Sequence, residues 1–355
     1  MNKKILLCVL FALIIVGSIL TTMTITGKAT SQETIKIGAT LPLTGSLSIY
    51  GESYSNGLML AQEELKESNI ELFIQDNEGN PTKAATDVTY LVNVENTPVI
   101  YNAMEFLTLA SKDISEQSEN IMISFTTYRV SEQDNSDYLF RDYWDMGNVG
   151  ISFGKAADQI NAEKVGIIGQ QDSSFAYFKQ GFEDNFDGEV VTEQIFQYGQ
   201  TDFKTELLKL KAEDIDTIVV YAFPVEANQI LKQMFELEMD SYNLISTEAT
   251  ESFVTALNSE LLQDTNAISY MGAELTEDQA FINKYQAKFG TVPRPDALYA
   301  YESLKMIDEA VTACGSTDVD CIKVQIETDF DDYHNKFRDL PLVQYDNGWN
   351  NFNLN

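Results

Sequence analysis

The chain has one histidine in 355 residues, His334, and three cysteines, of which Cys8 sits in an N-terminal apolar run. One histidine cannot supply a multi-histidine metal site. His334 has no positioned nucleophile near it in sequence, so a surface position is the expectation. There is no Gly-x-x-x-x-Gly-Lys-Ser/Thr loop, no strand-Gly-x-Gly-x-x-Gly-helix turn and no Gly-x-Ser-x-Gly elbow. Neither a phosphate cradle nor a serine nucleophile is therefore indicated, and no cofactor is expected. Basic residues are scarce as well, 23 against 55 acidic ones, for a net charge of -32. That balance repels phosphates and argues against a nucleic-acid partner. A saline habitat and simple solubility explain it equally well. With acids this abundant, a hydrolytic carboxylate pair is not ruled out by inspection, but nothing singles one out. Low-complexity segments and internal repeats are also lacking.

What is present begins with a leader. Lys3 and Lys4 precede Ile5–Leu20, which is nearly free of polar groups, and extension to Ile25 makes the run just long enough for a bilayer. Gly27-Lys28-Ala29 offers small residues for cleavage after Ala29, and no Leu-x-Gly-Cys lipobox follows. Residues 1–29 thus read as either a cleaved signal peptide or an uncleaved anchor. In both cases the two lysines stay inside and the rest is exported. The remainder is too long for one small core and suggests two domains. Its 44% hydrophobic content fits a packed globular protein.

The organising stretch is Ile35–Leu65. It reads as a buried strand over 35–41, a Pro/Gly-punctuated loop over 42–51, and a helix with Tyr54, Leu58, Ala61 and Leu65 on one face. The loop holds Thr44, Ser46, Ser48 and Tyr50 but no group with catalytic character. Strands and helices then alternate. Ile70, Leu72 and Ile74 keep a period of two, and Asn80-Pro81 supplies an N-cap and a proline for the first helical position. Such alternation predicts α/β architecture with parallel sheets and right-handed crossovers. Parallel sheets place ligands at the carboxyl ends of their strands.

Several motifs recur in one order. They are Pro42-Leu43-Thr44-Gly45 with Tyr50-Gly51, Asp76 to Ala84, Tyr138-Leu139-Phe140-Arg141, Thr201-Asp202-Phe203, Phe281 to Pro293, and Gln344 to Gly348. Nearly the whole exported chain thereby resembles the type I periplasmic binding proteins, the leucine/isoleucine/valine-binding family of ABC-transporter receptors. The resemblance implies two Rossmann-like lobes with parallel-sheet cores joined by a three-strand hinge. Lobe 1 would comprise 30–145 plus 274–328, and lobe 2 would comprise 146–273 plus 329–355. The chain would cross between them near 145, 273 and 330. It further implies a monomeric extracytoplasmic receptor, not an enzyme, that closes over a small molecule and delivers it to a membrane permease. An uncleaved leader would tether it to the membrane. A tethered ligand-sensing domain is the alternative, and a doubly wound enzyme the more distant one.

Carried over by alignment with that family, the first lobe offers Tyr50, Met104, Glu105, Phe106, Thr126 and Thr127 as ligand contacts. The second lobe offers Ser174, Phe223 and Glu248. Tyr50 and Glu248 keep the residue types of amino-acid binders. Met104, Glu105 and Phe106 do not, since that family places small hydroxyl and glycine residues there to receive an α-carboxylate. Glu105 facing the cleft would repel an anion and attract an ammonium. Pointing to solvent, it would leave only Met104 and Phe106 to reshape the pocket. Either arrangement leads to a neutral or cationic, partly apolar ligand: amino-acid-like, an amide or an amine. Cys314 and Cys321 flank a Gly-Ser-Thr-Asp turn between two helices, where a local disulfide is expected and two buried thiols are the other reading.

Overall fold

A computed structural model describes residues 34–125, 136–144, 146–248, 266–270, 278–336, 342–345 and 349–354. The leader 1–29, Thr126, Thr127 and the side chain of His334 lie outside what is described, so the expectations placed on them are not addressed by it. Among the described residues no helix is long and apolar enough to cross a membrane.

Strand β1 (Ile35–Leu41) is buried except at Lys36. This is the mark of a central strand covered on both faces. Helix α1 (Ser48–Glu64) follows, then β2 (Ile70–Asp76), α2 (Pro81–Tyr90), β3 (Val99–Ala103), α3 (Glu105–Gln117), β4 (Ile121–Phe125) and β5 (Leu139–Arg141). Asn80 caps α2 by accepting from the Thr82 and Lys83 N–H groups, with proline in the first turn, as the sequence predicts. The five strands pair in the order β2-β1-β3-β4-β5, all parallel.

The second half repeats the plan with α4 (Met146–Gln159), β6 (Lys164–Gln170), α5 (Ser173–Glu183), β7 (Glu189–Phe196), α6 (Lys204–Ala212), β8 (Thr217–Tyr221), α7 (Pro224–Glu236), β9 (Asn243–Ser246) and β10 (Ala267–Tyr270). Helices α8 (Gln279–Phe289) and α9 (Pro295–Cys314) return to pack on α1, and α10 (Val319–Lys336) packs on α9. The hairpin of β11 (Leu342–Tyr345) and β12 (Trp349–Phe352) then joins the second sheet antiparallel. That sheet runs β12-β11-β10-β9-β8-β6-β7. The chain is therefore α/β with two sheets whose cores are parallel, the class its alternating elements predict.

Two local readings change. Helix α1 begins at Ser48 rather than after Gly51, which puts Tyr50 in its first turn. Residues 328–335, where a crossing was expected, continue α10 to Lys336. Ile322, Ile326 and Phe330 recur at every fourth position, so the helical period persists through this polar text. Two helix pairs come close enough to demand glycine. A Cβ on Gly57 would lie 2.1 Å from the Ala297 carbonyl oxygen, joining α1 to α9, and one on Gly150 would lie 2.0 Å from that of Phe178, joining α4 to α5. One apolar cluster runs from Ile35 to Leu342 and takes in side chains of both sheets, including Tyr50, Phe125, Tyr143, Met146 and Tyr221. Cys314 and Cys321 are disulfide-bonded with Cα atoms 6.0 Å apart.

Candidate ligand-binding site

In a parallel sheet of order 2-1-3-4-5, the chain leaves neighbouring strands toward opposite faces where the order reverses, opening a crevice at their carboxyl ends. That reversal falls between β1 and β3 in the first sheet and between β6 and β8 in the second. One cavity of about 590 Å³ is lined from both positions. From the first lobe come Tyr50, Gly79, Met104, Glu105, Phe106, Leu109, Phe125 and Tyr143. Opposite them stand Met146, Gln170, Gln171, Asp172, Tyr198, Tyr221, Ala222, Phe223, Thr247 and Glu248. The volume falls in the range that holds ordinary small ligands.

Among the described residues, hydrogen bonds join the two walls. The Tyr50 hydroxyl donates to Glu248 Oε1 at 3.0 Å, Ser174 Oγ donates to Glu105 Oε2 at 2.6 Å, and Ser46 and Tyr198 share a bond of 2.7 Å. These bonds tie the two sides of the cavity together. Burial and the neighbouring Glu248 carboxylate push the Tyr50 phenol well above its ordinary pKa, so it stays a donor. The Arg294 guanidinium lies 4.6 Å from the Tyr50 ring centre and pairs with Asp296 at 3.0 Å.

The junction after β3 is strained. Met104 has φ 66° and ψ 139°, a backbone conformation costly for a residue with a Cβ, and its side chain gives α3 no cap. Its N–H donates to the Phe125 carbonyl at 2.8 Å, which fixes the turn beside β4. Glu105, the next residue, faces the cavity; burial raises its pKa against the lowering effect of the Ser174 bond, and Asp172 raises it further. The junction after β6 is built differently. Asp172 caps α5 by accepting from the Phe175 N–H at 2.8 Å, and it also accepts from the Tyr221 hydroxyl at 3.1 Å. Burial raises the Asp172 carboxyl despite these bonds.

Of the residues carried over from the family resemblance, Tyr50, Met104, Glu105, Phe106, Phe223 and Glu248 line the cavity. Ser174 sits behind Glu105, bonded to it, and does not line the cavity itself. Residue-by-residue carry-over missed Phe125, Tyr143, Gln170, Asp172, Tyr198, Tyr221 and Thr247, which also line it. Gln170, Asp172, Tyr221 and Thr247 follow or end β6, β8 and β9, so the rule that ligands sit at strand carboxyl ends could have found them. Tyr143 and Tyr198 lie in connections where no periodicity marks them.

Chemically the lining combines rings with acceptors. Its charged members are Glu105, Asp172 and Glu248, and no lysine or arginine is among the described lining residues. The Thr247 hydroxyl donates to the Ala222 carbonyl at 3.0 Å, so it too is engaged within the protein.

A cavity lined from the switch points of two such sheets is the architecture of a two-lobed solute-binding protein. A model of the periplasmic binding protein family matches residues 34–340, and the chain belongs to that family. It is 22% identical over 310 residues to the Leu/Ile/Val-binding protein homolog 2 of Brucella abortus, covering 81% of each chain. Among solved structures, the branched-chain amino acid substrate-binding protein LivJ of Streptococcus pneumoniae, in complex with isoleucine, superposes with a TM-score of 0.75 at 23% identity, covering 90% of this chain and 100% of that one. The leucine-binding protein LivK of Thermotoga maritima gives 0.77 at 19% identity, covering 90% and 98%. A solute-binding protein of an ABC transporter from Rhodopseudomonas palustris, in complex with benzoate, gives 0.73 at 17%, covering 91% and 96%. At these identities the structural likenesses establish the type I fold.

Proposed function

We propose that this protein is a monomeric extracytoplasmic solute receptor that closes over a neutral or cationic, partly apolar small molecule and delivers it to an ABC-transporter permease. The observation that carries this reading is the cavity lined from both sheets, with hydrogen bonds joining its walls. A ligand touching both lobes favours the closed state, and a permease can recognise that state. The hinge on this reading lies where the chain passes between sheets, after β5, after β10 and after α10.

The ligand class follows from the helix ends. A helix N-terminus attracts anions through its free N–H groups and dipole. Here Glu105 stands in the first turn of α3, Asp172 caps α5, and Glu226 stands in the first turn of α7. Three of the four helices at the switch points are thus already matched with the protein's own acids, and only α1 lacks one. Two of the structures cited above carry isoleucine and benzoate, both with carboxylates; a carboxylate here would face acids without a lining cation.

The test is a thermal-shift and calorimetric screen of amino acids, amides, amines and aromatic acids, with small-angle scattering on any binder. An amine or amide is expected to raise the midpoint and compact the molecule, with stabilisation of about 2.7 kcal/mol at a concentration one hundred times Kd. If no solute raises the midpoint, the receptor reading fails. Tight leucine or valine binding, undiminished by Glu105→Gln, removes the ligand class alone.

A further inference from the structure

We infer that the ligand is an alkylated organic ammonium, its charged end seated against the aromatic wall of the cavity and opposite Glu105, Asp172 and Glu248. This rests on the solute-receptor reading and narrows it from neutral or cationic to cationic.

The wall is a continuous run of rings. Tyr143 and Phe125 have centroids 4.3 Å apart, Phe125 and Tyr50 6.1 Å, Tyr50 and Phe223 6.0 Å, and Phe223 and Tyr198 5.9 Å. All five line the cavity, and the run passes from one lobe to the other. Ring faces carry negative potential and attract cations, most strongly cations that shed water easily. Arg294 already uses this attraction over Tyr50, but Asp296 matches its charge and it does not line the cavity. The lining charge is therefore acidic.

Hydrogen bonding points the same way. The Tyr50, Tyr221 and Thr247 hydroxyls donate to Glu248, Asp172 and the Ala222 carbonyl, so protein groups already take these protons. Beside the Gln170 and Gln171 amides, what the lining presents is acceptors. Gln170 is 3% exposed, lines the cavity, and its side-chain oxygen is buried without a hydrogen-bond partner. A buried acceptor of that kind is costly unless a donor arrives. A ligand bringing positive charge and a donor meets the carboxylates and Gln170 together. The alkyl groups meet the rings, where a compact, strongly hydrated primary ammonium would leave much of the apolar wall uncovered.

Protonation should report on the same contact. Glu105 faces Ser174 and Asp172, Asp172 faces Tyr221 and the start of α5, and Glu248 faces Tyr50, which Arg294 covers. Glu105 and Asp172 hold their protons more tightly than exposed acids because burial disfavours their charge. A bound cation favours the ionised forms, so affinity rises with pH through their titration and binding releases protons.

The experiment is calorimetry on the exported chain with choline and its uncharged isostere 3,3-dimethylbutan-1-ol, each carrying the same hydroxyl donor. Choline is expected to bind at least about tenfold more tightly, the scale of one desolvated cation–ring contact. Glu105→Gln should weaken choline and leave the alcohol unchanged. Should that variant not fold, Phe223→Leu gives the ring contribution, with a loss of several-fold expected for choline. Equal affinities for choline and the alcohol overturn the inference, as does tighter binding of n-butylammonium or leucine. If a neutral amide or leucine binds and compacts the molecule while choline does not, only this inference falls. If no solute in the screen binds, the receptor reading falls with it.

Discussion

The two walls of the cleft handle acid in opposite ways. In the second lobe Asp172 is built into the scaffold, capping α5 and taking the Tyr221 proton. In the first lobe Glu105 begins α3 after a strained, uncapped residue, and it accepts a hydrogen bond from Ser174 across the cleft. Deeper in the same lobe Asp142, at the end of β5, is fully buried, accepting from Tyr54 and from Ser303 at 3.2 Å. An acid that caps a helix supports its lobe whether or not a ligand is present. Acids held in a wall or interior without a cation cost stability in the charged form. Glu105 and Asp142 thus lack any capping role, whereas Asp172, whose carboxyl burial also raises, doubles as part of the frame of its lobe.

The sharpest way to break that contrast is Asp142. Burial lifts its pKa from 3.8 to about 7, opposed by its bonds from Tyr54 and Ser303 and assisted by Asp296. The folded chain thus binds this proton more tightly than the unfolded chain. Its contribution is fully present at acid pH and is lost as pH rises from about 4 through about 7, on the order of 4 kcal/mol. Asp142→Asn should remove this slope and leave the variant more stable than the parent above pH of about 7. Urea denaturation across pH measures it. Parallel pH profiles for the two proteins would show that Asp142 carries no such charge penalty.

Next in size is the pair Asp172→Ala and Glu105→Gln. The first loses a helix cap and leaves the buried Tyr221 hydroxyl without its acceptor, a cost of about 2 kcal/mol. The second keeps an acceptor for Ser174 and removes a desolvated charge, so stability should stay within about 0.5 kcal/mol of the parent or rise. Equal losses in both, read from thermal melts, would erase the distinction between frame and stored charge.

How much of this was legible in the sequence depended on whether a local rule marked it. β1, with its mostly apolar text, and the Asn80-Pro81 start of α2 follow from pattern and capping, and the sheets match the predicted class. The start of α1 is not legible in the sequence because Leu47 provides no side-chain cap to mark it. No expectation placed a helix at α4, where three glycines within one short segment argue against helix by propensity. Tertiary packing overrides that, since Gly150 must admit the Phe178 backbone. Within the cleft, Tyr50 and Glu248 were found by resemblance, whereas Tyr143 and Tyr198 sit in irregular connections whose direction only the packed rings determine.

The smallest expected effect isolates the strain at the first lobe's junction. At φ 66° Met104 occupies backbone space that favours glycine, and it does so where α3 turns its acid toward the cavity. Truncating the buried side chain destabilises in either case, so the informative quantity is the difference between Met104→Gly and Met104→Ala. Both lose the same packing to within one methyl group, but only glycine relaxes the backbone. The glycine variant is expected to be the more stable, by about 1 kcal/mol beyond the ordinary preference of an N-cap for glycine over alanine. The corresponding residue ahead of α5, Asp172, has φ -145°, an extended backbone with no such strain. There glycine should exceed alanine only by the ordinary preference of an N-cap, so the excess difference at 104 measures the strain. If the alanine variant at 104 proves the more stable in chemical denaturation, the junction is not strained and the asymmetry between the walls lies in their acids alone.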